Sequence, residues 1–208
     1  MVDKNNRSLT YSICVSGAAH GDTVDDDKQL AARLGAAIAH RGHITTTGAT
    51  IGLPYFAAKA AKEAGGVSIG FSPAVNVREH MRKYRLPRDY FDFINFTGMN
   101  YVGRDFHLIQ SSDAIITVGG RFGSLHEFVT ALEAHKPCGI LIGSDGAADI
   151  IPELMKVLDP PREHLVIYDE NPENLVERIT TILDKEYADV IEQLKRNEHW
   201  FLNGNHQG

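Results

Sequence analysis

The stretch Ser112-Asp-Ala-Ile-Ile-Thr-Val-Gly-Gly-Arg-Phe-Gly-Ser-Leu-His-Glu127 carries the decisive pattern. Its apolar run, Ile115, Ile116 and Val118, has the composition of a strand buried on both faces, as in a parallel sheet. Phe122, Leu125, Val129 and Leu132 then recur at the spacing of one helix face. Between the two runs stand Gly119, Gly120 and Gly123, which allow positive φ and let a ligand approach the main chain. The first N–H groups of the helix lack partners within it and point at whatever occupies the loop, which suits an anion. Ser124 adds a hydroxyl in the first turn. Glu127 lies one turn further in, within reach of a sugar whose phosphate the loop would hold. The same residues also fit a plain strand-to-helix turn in which Glu127 complements the helix dipole.

Similar units flank this one. On the N-terminal side, Tyr11 to Val15 reads as a strand followed by the small-residue loop Ser16-Gly-Ala-Ala-His-Gly21. Asp25, Asp26 and Asp27 suit the start of a helix reaching about His40, which Gly42 stops. Ile44 to Thr47 predicts a second strand, then the loop Gly48-Ala-Thr-Ile-Gly52 and a helix from Pro54 to about Ala64. Val67 to Phe71 predicts a third strand and Tyr90 to Phe96 another, before a helix over Tyr101 to Ser111. On the C-terminal side, Cys138 to Ile142 and His164 to Tyr168 read as strands, Ile150 to Leu158 as a helix, and Asn174 to about Lys195 as one or two helices. Such alternation predicts an α/β fold: a doubly wound, mainly parallel sheet with helices on both faces and glycine-containing loops converging at the strand C-termini. Between Ser72 and Arg88 the pattern blurs, and Arg78, Arg82, Lys83, Arg85 and Arg88 collect there. They would either line an anion site or form a solvated helix-and-turn segment.

The 208 residues are 43% hydrophobic, enough for one substantial core, and no linker-like composition break divides them. One domain over 1–208 is expected, with flexible tails at 1–8 and 201–208. The net charge of −6 argues against general binding to nucleic acid or an anionic membrane. Cys14 and Cys138, each in an apolar run, read as buried thiols of a reducing compartment rather than a disulfide. No stretch approaches membrane-spanning length and the polar start lacks the apolar core of a secretory signal, so a cytoplasmic location is expected. Neither the G-x-G-x-x-G dinucleotide fingerprint nor a G-x-x-x-x-G-K-[ST] loop is present. Apart from His40 and His43, which flank a helix end, the ten histidines include no close pair beside acidic residues at metal-ligand spacing, and neither Lys62 nor Lys136 has the setting of a Schiff base, so neither a metal nor a cofactor is expected.

Gly119-Gly-Arg-Phe-Gly-Ser-Leu-His-Glu127 resembles, without gaps, the P-G-G-[YF]-G-T-x-x-E motif of the Lonely-guy family of nucleoside-monophosphate phosphoribohydrolases, part of the wider SLOG group of Rossmann-like proteins. Gly103-Arg-Asp105 followed by Ser112-Asp-Ala114 is similar to that family's E-R-K…S-D-A pattern. Thr47-Gly-Ala-Thr-Ile-Gly-Leu53 resembles its G-G-G-x-x-G-L-M segment, and Ala64-Gly-Gly-Val-Ser-Ile-Gly70 its E-A-G-G-x-V-I-G strand. Order and spacing agree over about residues 10 to 145.

The resemblance implies hydrolysis of the N-glycosidic bond of a purine nucleoside 5′-monophosphate, of cytokinin or AMP type, to a free base and ribose 5-phosphate. Glu127 and Arg104 would be catalytic. Glu127 would stabilise a cationic sugar or orient water, and Arg104 would hold the substrate. The main chain around Gly119, Gly120, Arg121, Phe122, Gly123 and Ser124 would cradle the phosphate, with Ser16, Gly17, Gly48, Thr50 and Met99 closing around the ligand. A homodimer built from helices flanking the site is also implied. Gly119 stands at the motif's proline and Ser124 at its threonine, and two further departures bear on activity. Arg121 replaces a glycine, to grip phosphate or to fill the pocket, and Asp105 replaces a lysine. The wider group includes molybdenum-cofactor carriers and nucleotide sensors that bind without hydrolysing, the alternative reading of this chain.

Overall fold

The computed structural model describes residues 9–158 and 162–196. Seven strands form one sheet: β1 (Ser12–Gly17), β2 (Ile44–Thr47), β3 (Val67–Ser72), β4 (Phe93–Phe96), β5 (Ala114–Val118), β6 (Cys138–Leu141) and β7 (Val166–Asp169). The order is β4-β3-β2-β1-β5-β6-β7, and every pairing is parallel. The chain winds outward from β1 to the β4 edge, returns to β5 beside β1, and continues to the other edge. This reversal makes the β1/β5 boundary a topological switch point, where ligands of open α/β sheets bind. The expected doubly wound α/β fold is thus present.

Alternation along each strand divides the core. Ile13, Val15, Ile116, Val118 and Leu141 pack against α1 (Asp22–His40), α2 (Leu53–Glu63) and α7 (Pro172–Glu186). Cys14, Ile115, Cys138 and Ile140 face α4 (Asn100–Gln110), α5 (Phe122–Glu133) and α6 (Ala147–Leu158). Both cysteines are free and buried, and burial pushes their thiols well above the ordinary range. α1 and α2 approach so closely that a Cβ on Gly35 would stand 2.0 Å from the Ala57 carbonyl oxygen.

Several boundaries differ from expectation. α1 begins at Asp22, so Asp27 lies inside the helix on its buried face rather than at its start. α6 begins at Ala147, three residues before Ile150, because the Ala147 and Ala148 N–H groups donate to the carbonyls of Gly120 and Gly119. The C-terminal run is two helices, α7 and α8 (Ala188–Arg196), broken at Tyr187. The basic stretch resolves into a short helix, α3 (Val77–Arg82), capped by Asn76, whose Oδ1 accepts from Glu79 N–H. Arg78, Arg82, Lys83, Arg85 and Arg88 are exposed there, which is the solvated helix-and-turn alternative. The tails expected at 1–8 and 201–208 lie outside the described residues. Among the described residues no helix is long and apolar enough to cross a membrane.

Candidate functional site

At the switch point a cavity of about 260 Å3 opens beyond the C-terminal ends of β1, β2 and β5. The β1 strand supplies Val15 and Gly17, and its loop supplies Ala18, Ala19 and His20. Gly48 and Thr50 come from the loop after β2, Tyr101, Arg104 and Asp105 from α4, and Arg121, Gly123, Ser124 and Glu127 from the start of α5. Tyr101, Arg104 and Asp105 share a wall because residues three and four apart on a helix stand on one face.

Glu127 is 8% exposed, and its Oε2 accepts a short hydrogen bond from Ser16 Oγ, which ties α5 to β1. Burial pushes its carboxyl up to about 7, and the neighbouring Asp105 adds to this. Arg104 and the Ser16 hydroxyl pull the other way without cancelling it. Arg104, 5% exposed, lines the cavity and is held from one side. Its Nη1 donates to the Phe71 carbonyl at 3.1 Å, and its guanidinium lies 5.8 Å from the Tyr101 ring centroid. Arg104 Nε stands 2.9 Å from Asp105 Oδ1, but the N–H is not aimed at the oxygen, so this is an ion pair without a hydrogen bond. The other oxygen, Asp105 Oδ2, lies 3.0 Å from His126 Nδ1.

The structure thus gathers Glu127, Arg104, Gly17, Gly48, Thr50, Arg121, Gly123 and Ser124 around one cavity, with Ser16 bonded to Glu127 behind it. Besides Ser16, four expected positions do not line it. Met99, 51% exposed, packs against Gly103, with its sulfur 2.8 Å from His107 Nε2. Phe122, 90% exposed, starts α5 one residue before Gly123, a rotation of about 100° that carries its side chain away. Gly119 gives its N–H to Ser144 Oγ at 2.8 Å, and Gly120 closes against Ser124. These two glycines shape the loop and hold the first turn of α6. Sequence reasoning missed His20 and Tyr101 as wall residues; the three-residue spacing of Tyr101 from Arg104 was the available signal.

Beside the loop is a second carboxylate. Asp27 Oδ2 is buried with no hydrogen-bond partner, and a Cβ on Gly119 would stand 3.1 Å from it. Burial, followed by repulsion from Asp145, Asp26 and Asp149, pushes Asp27 up to about 6. Among the described residues no group of three or more His, Cys, Asp or Glu side chains is placed to hold a metal ion.

A doubly wound parallel sheet with its cavity at the strand-end switch point defines a Rossmann-like protein, and the match to a SLOG family over residues 10–176 places it in the SLOG superfamily, as the motifs imply. Within it, the chain belongs to the SLOG cluster4 family, whose model matches residues 10–176. An uncharacterised protein of Archaeoglobus fulgidus is 31% identical over 143 residues, covering 69% of this chain and 85% of that one. Among solved structures, the molybdenum cofactor binding protein of Rippkaea orientalis is 29% identical, with a TM-score of 0.70 over 85% of this chain and 99% of its own. The molybdenum cofactor carrier protein of Chlamydomonas reinhardtii is 28% identical, with a TM-score of 0.68 over 84% and 99%.

Proposed function

We propose that the protein binds and carries a phosphorylated heterocycle of the molybdenum-cofactor class without hydrolysing it. The observation that carries this reading is the state of Arg104. A hydrolase of the resembling type needs that guanidinium on its substrate, and here Asp105 answers its charge while Phe71 and Tyr101 hold it in place. The likeness to two molybdenum-cofactor-binding proteins over nearly their whole length supports the same reading. The phosphate would sit at the N-terminus of α5, on the free main-chain N–H groups beside Gly123 and Ser124, with the ring system deeper, toward Glu127.

A second reading, phosphoribohydrolysis of AMP or a cytokinin nucleotide, is favoured by one observation. A buried glutamate held near 7 on the wall of a cavity is poised to trade a proton at neutral pH. The two readings separate in one experiment. The purified protein is incubated with molybdenum cofactor released from a molybdoenzyme, and in parallel with a panel of nucleoside 5′-monophosphates, with Glu127→Gln alongside. Co-elution of the cofactor, with no free base formed, is the expected result. Base and ribose 5-phosphate released by the wild type but not by Glu127→Gln would overturn it in favour of the hydrolase.

The proposal extends to a cytoplasmic homodimer joined through α4 and α5, where Tyr101, Val102 and Phe106 are solvent-exposed apolar side chains. Light scattering after size-exclusion chromatography should give twice the monomer mass.

A further inference from the structure

Arg121 belongs to the N-cap position of α5, yet its guanidinium rests at the N-terminus of α1. A Cβ built on Gly21, the residue before α1, would stand 2.2 Å from Arg121 Nη2 and 3.1 Å from its Cζ. The guanidinium therefore lies against bare backbone, at a residue whose φ of 102° already favours glycine. α1 has 19 residues and α5 has 12, and neither N-terminus is closed by a side-chain hydrogen bond. Two helix N-termini thus meet at one cavity mouth with a cation between them. Arg121 forms no ion pair within 4.0 Å among the described residues. Ser124 is 4% exposed and lines the same cavity with its side chain in no protein hydrogen bond among the described residues. Asp22 and Asp25 also occupy the first turn of α1, but both are exposed, and Asp25 is 3.8 Å from Lys28.

We infer that this mouth is a two-phosphate site and that Arg121 is its specificity-determining residue. One phosphoryl group sits at the start of α5 beside Gly123 and Ser124. The adjoining one sits against the exposed side of the Arg121 guanidinium, beside the start of α1, where the planar fork of an arginine matches two phosphate oxygens. A monophosphate fills only the first position, so the cavity prefers ligands carrying a diphosphate. The inference rests on the reading of this cavity as a phosphorylated-ligand site and names the phosphate chemistry it selects.

The test is calorimetric titration of the intact protein with ADP and AMP, and with inorganic pyrophosphate and phosphate as probes free of any ring. The wild type should bind each diphosphate at least about 10-fold more tightly than its monophosphate partner, the worth of one charge-assisted pair. Arg121→Gly should bring that ratio to about 1–2, because the second position is lost. Gly21→Ala, which keeps the charge but displaces the guanidinium, should reduce the ratio as well. Equal affinity for mono- and diphosphates in the wild type, or an unchanged ratio in Arg121→Gly, overturns the two-phosphate site and leaves the phosphorylated-ligand reading standing. Failure of all four probes to bind overturns both.

Discussion

Arg104 lies across Gly48 so closely that a Cβ there would stand 1.7 Å from Nη1. The α4 wall of the cavity therefore depends on a missing side chain in the loop after β2. Gly48→Ala should displace the guanidinium from Phe71 and Asp105 and cost about 1–3 kcal/mol, the usual range for overpacking. Because the three nearest atoms to that Cβ all belong to Arg104, adding Arg104→Ala should cost much less than the sum of the two single changes. Chemical denaturation of the three variants measures this. Strict additivity would mean that the two residues do not meet.

Glu127 makes stability depend on pH in a definite direction. In the unfolded chain it ionises near 4.5, and in the fold near 7, so the folded state holds the proton more tightly. Its contribution is fully present below about 4.5, is lost as pH rises to about 7, and stays lost above. Glu127→Gln cannot ionise. Relative to the wild type it should be more stable at pH 8 than at pH 4. Asp27, raised from 3.8 to about 6, has the same sign, so Asp27→Asn should also gain stability at pH 8 and lose that advantage below about 4. Melting temperatures across this range would sink the claim if the variants and wild type ran parallel.

α1 and α2 meet backbone to backbone at Gly35 and Ala57. Gly35→Ala would place its Cβ 2.0 Å from the Ala57 carbonyl oxygen, inside a backbone that cannot turn away. A loss of about 2 kcal/mol is expected, which for a protein of this size lowers the melting temperature by about 4–8 °C. Calorimetry showing no change would place the helices further apart.

The motif-bearing half of the fold was legible because its signals are local. Ile115, Ile116 and Val118 announce a buried strand, and the glycines after them announce the turn; the register then places Val118 beside Gly17, which joins the loops of β1 and β5. Arg104 and Glu127, 23 positions apart, were read as partners from motif spacing, and both line one cavity. What escaped reading was set by rotation or distant packing. Phe122 and Gly123 differ by one helical step, which separates outside from inside. Asp27 looks like a helix-start residue until the helix begins five residues earlier and turns it inward. The arginines from Arg78 to Arg88 belong to the β4 side of the sheet, and edge position follows from strand order, which no local pattern encodes.

Gly119 and Gly120 face two ways. Their residues form the turn at the cavity, while the Gly119 N–H is held by Ser144 and both carbonyls receive the first N–H groups of α6. A loop braced from beneath in this manner has its conformation settled when the protein folds, so a ligand arriving later meets a finished surface and loses little affinity to ordering it. The same bracing makes the α6 backbone a reporter of occupancy: the amide hydrogens of Ala147 and Ala148 should exchange with solvent more slowly once the loop above them is filled.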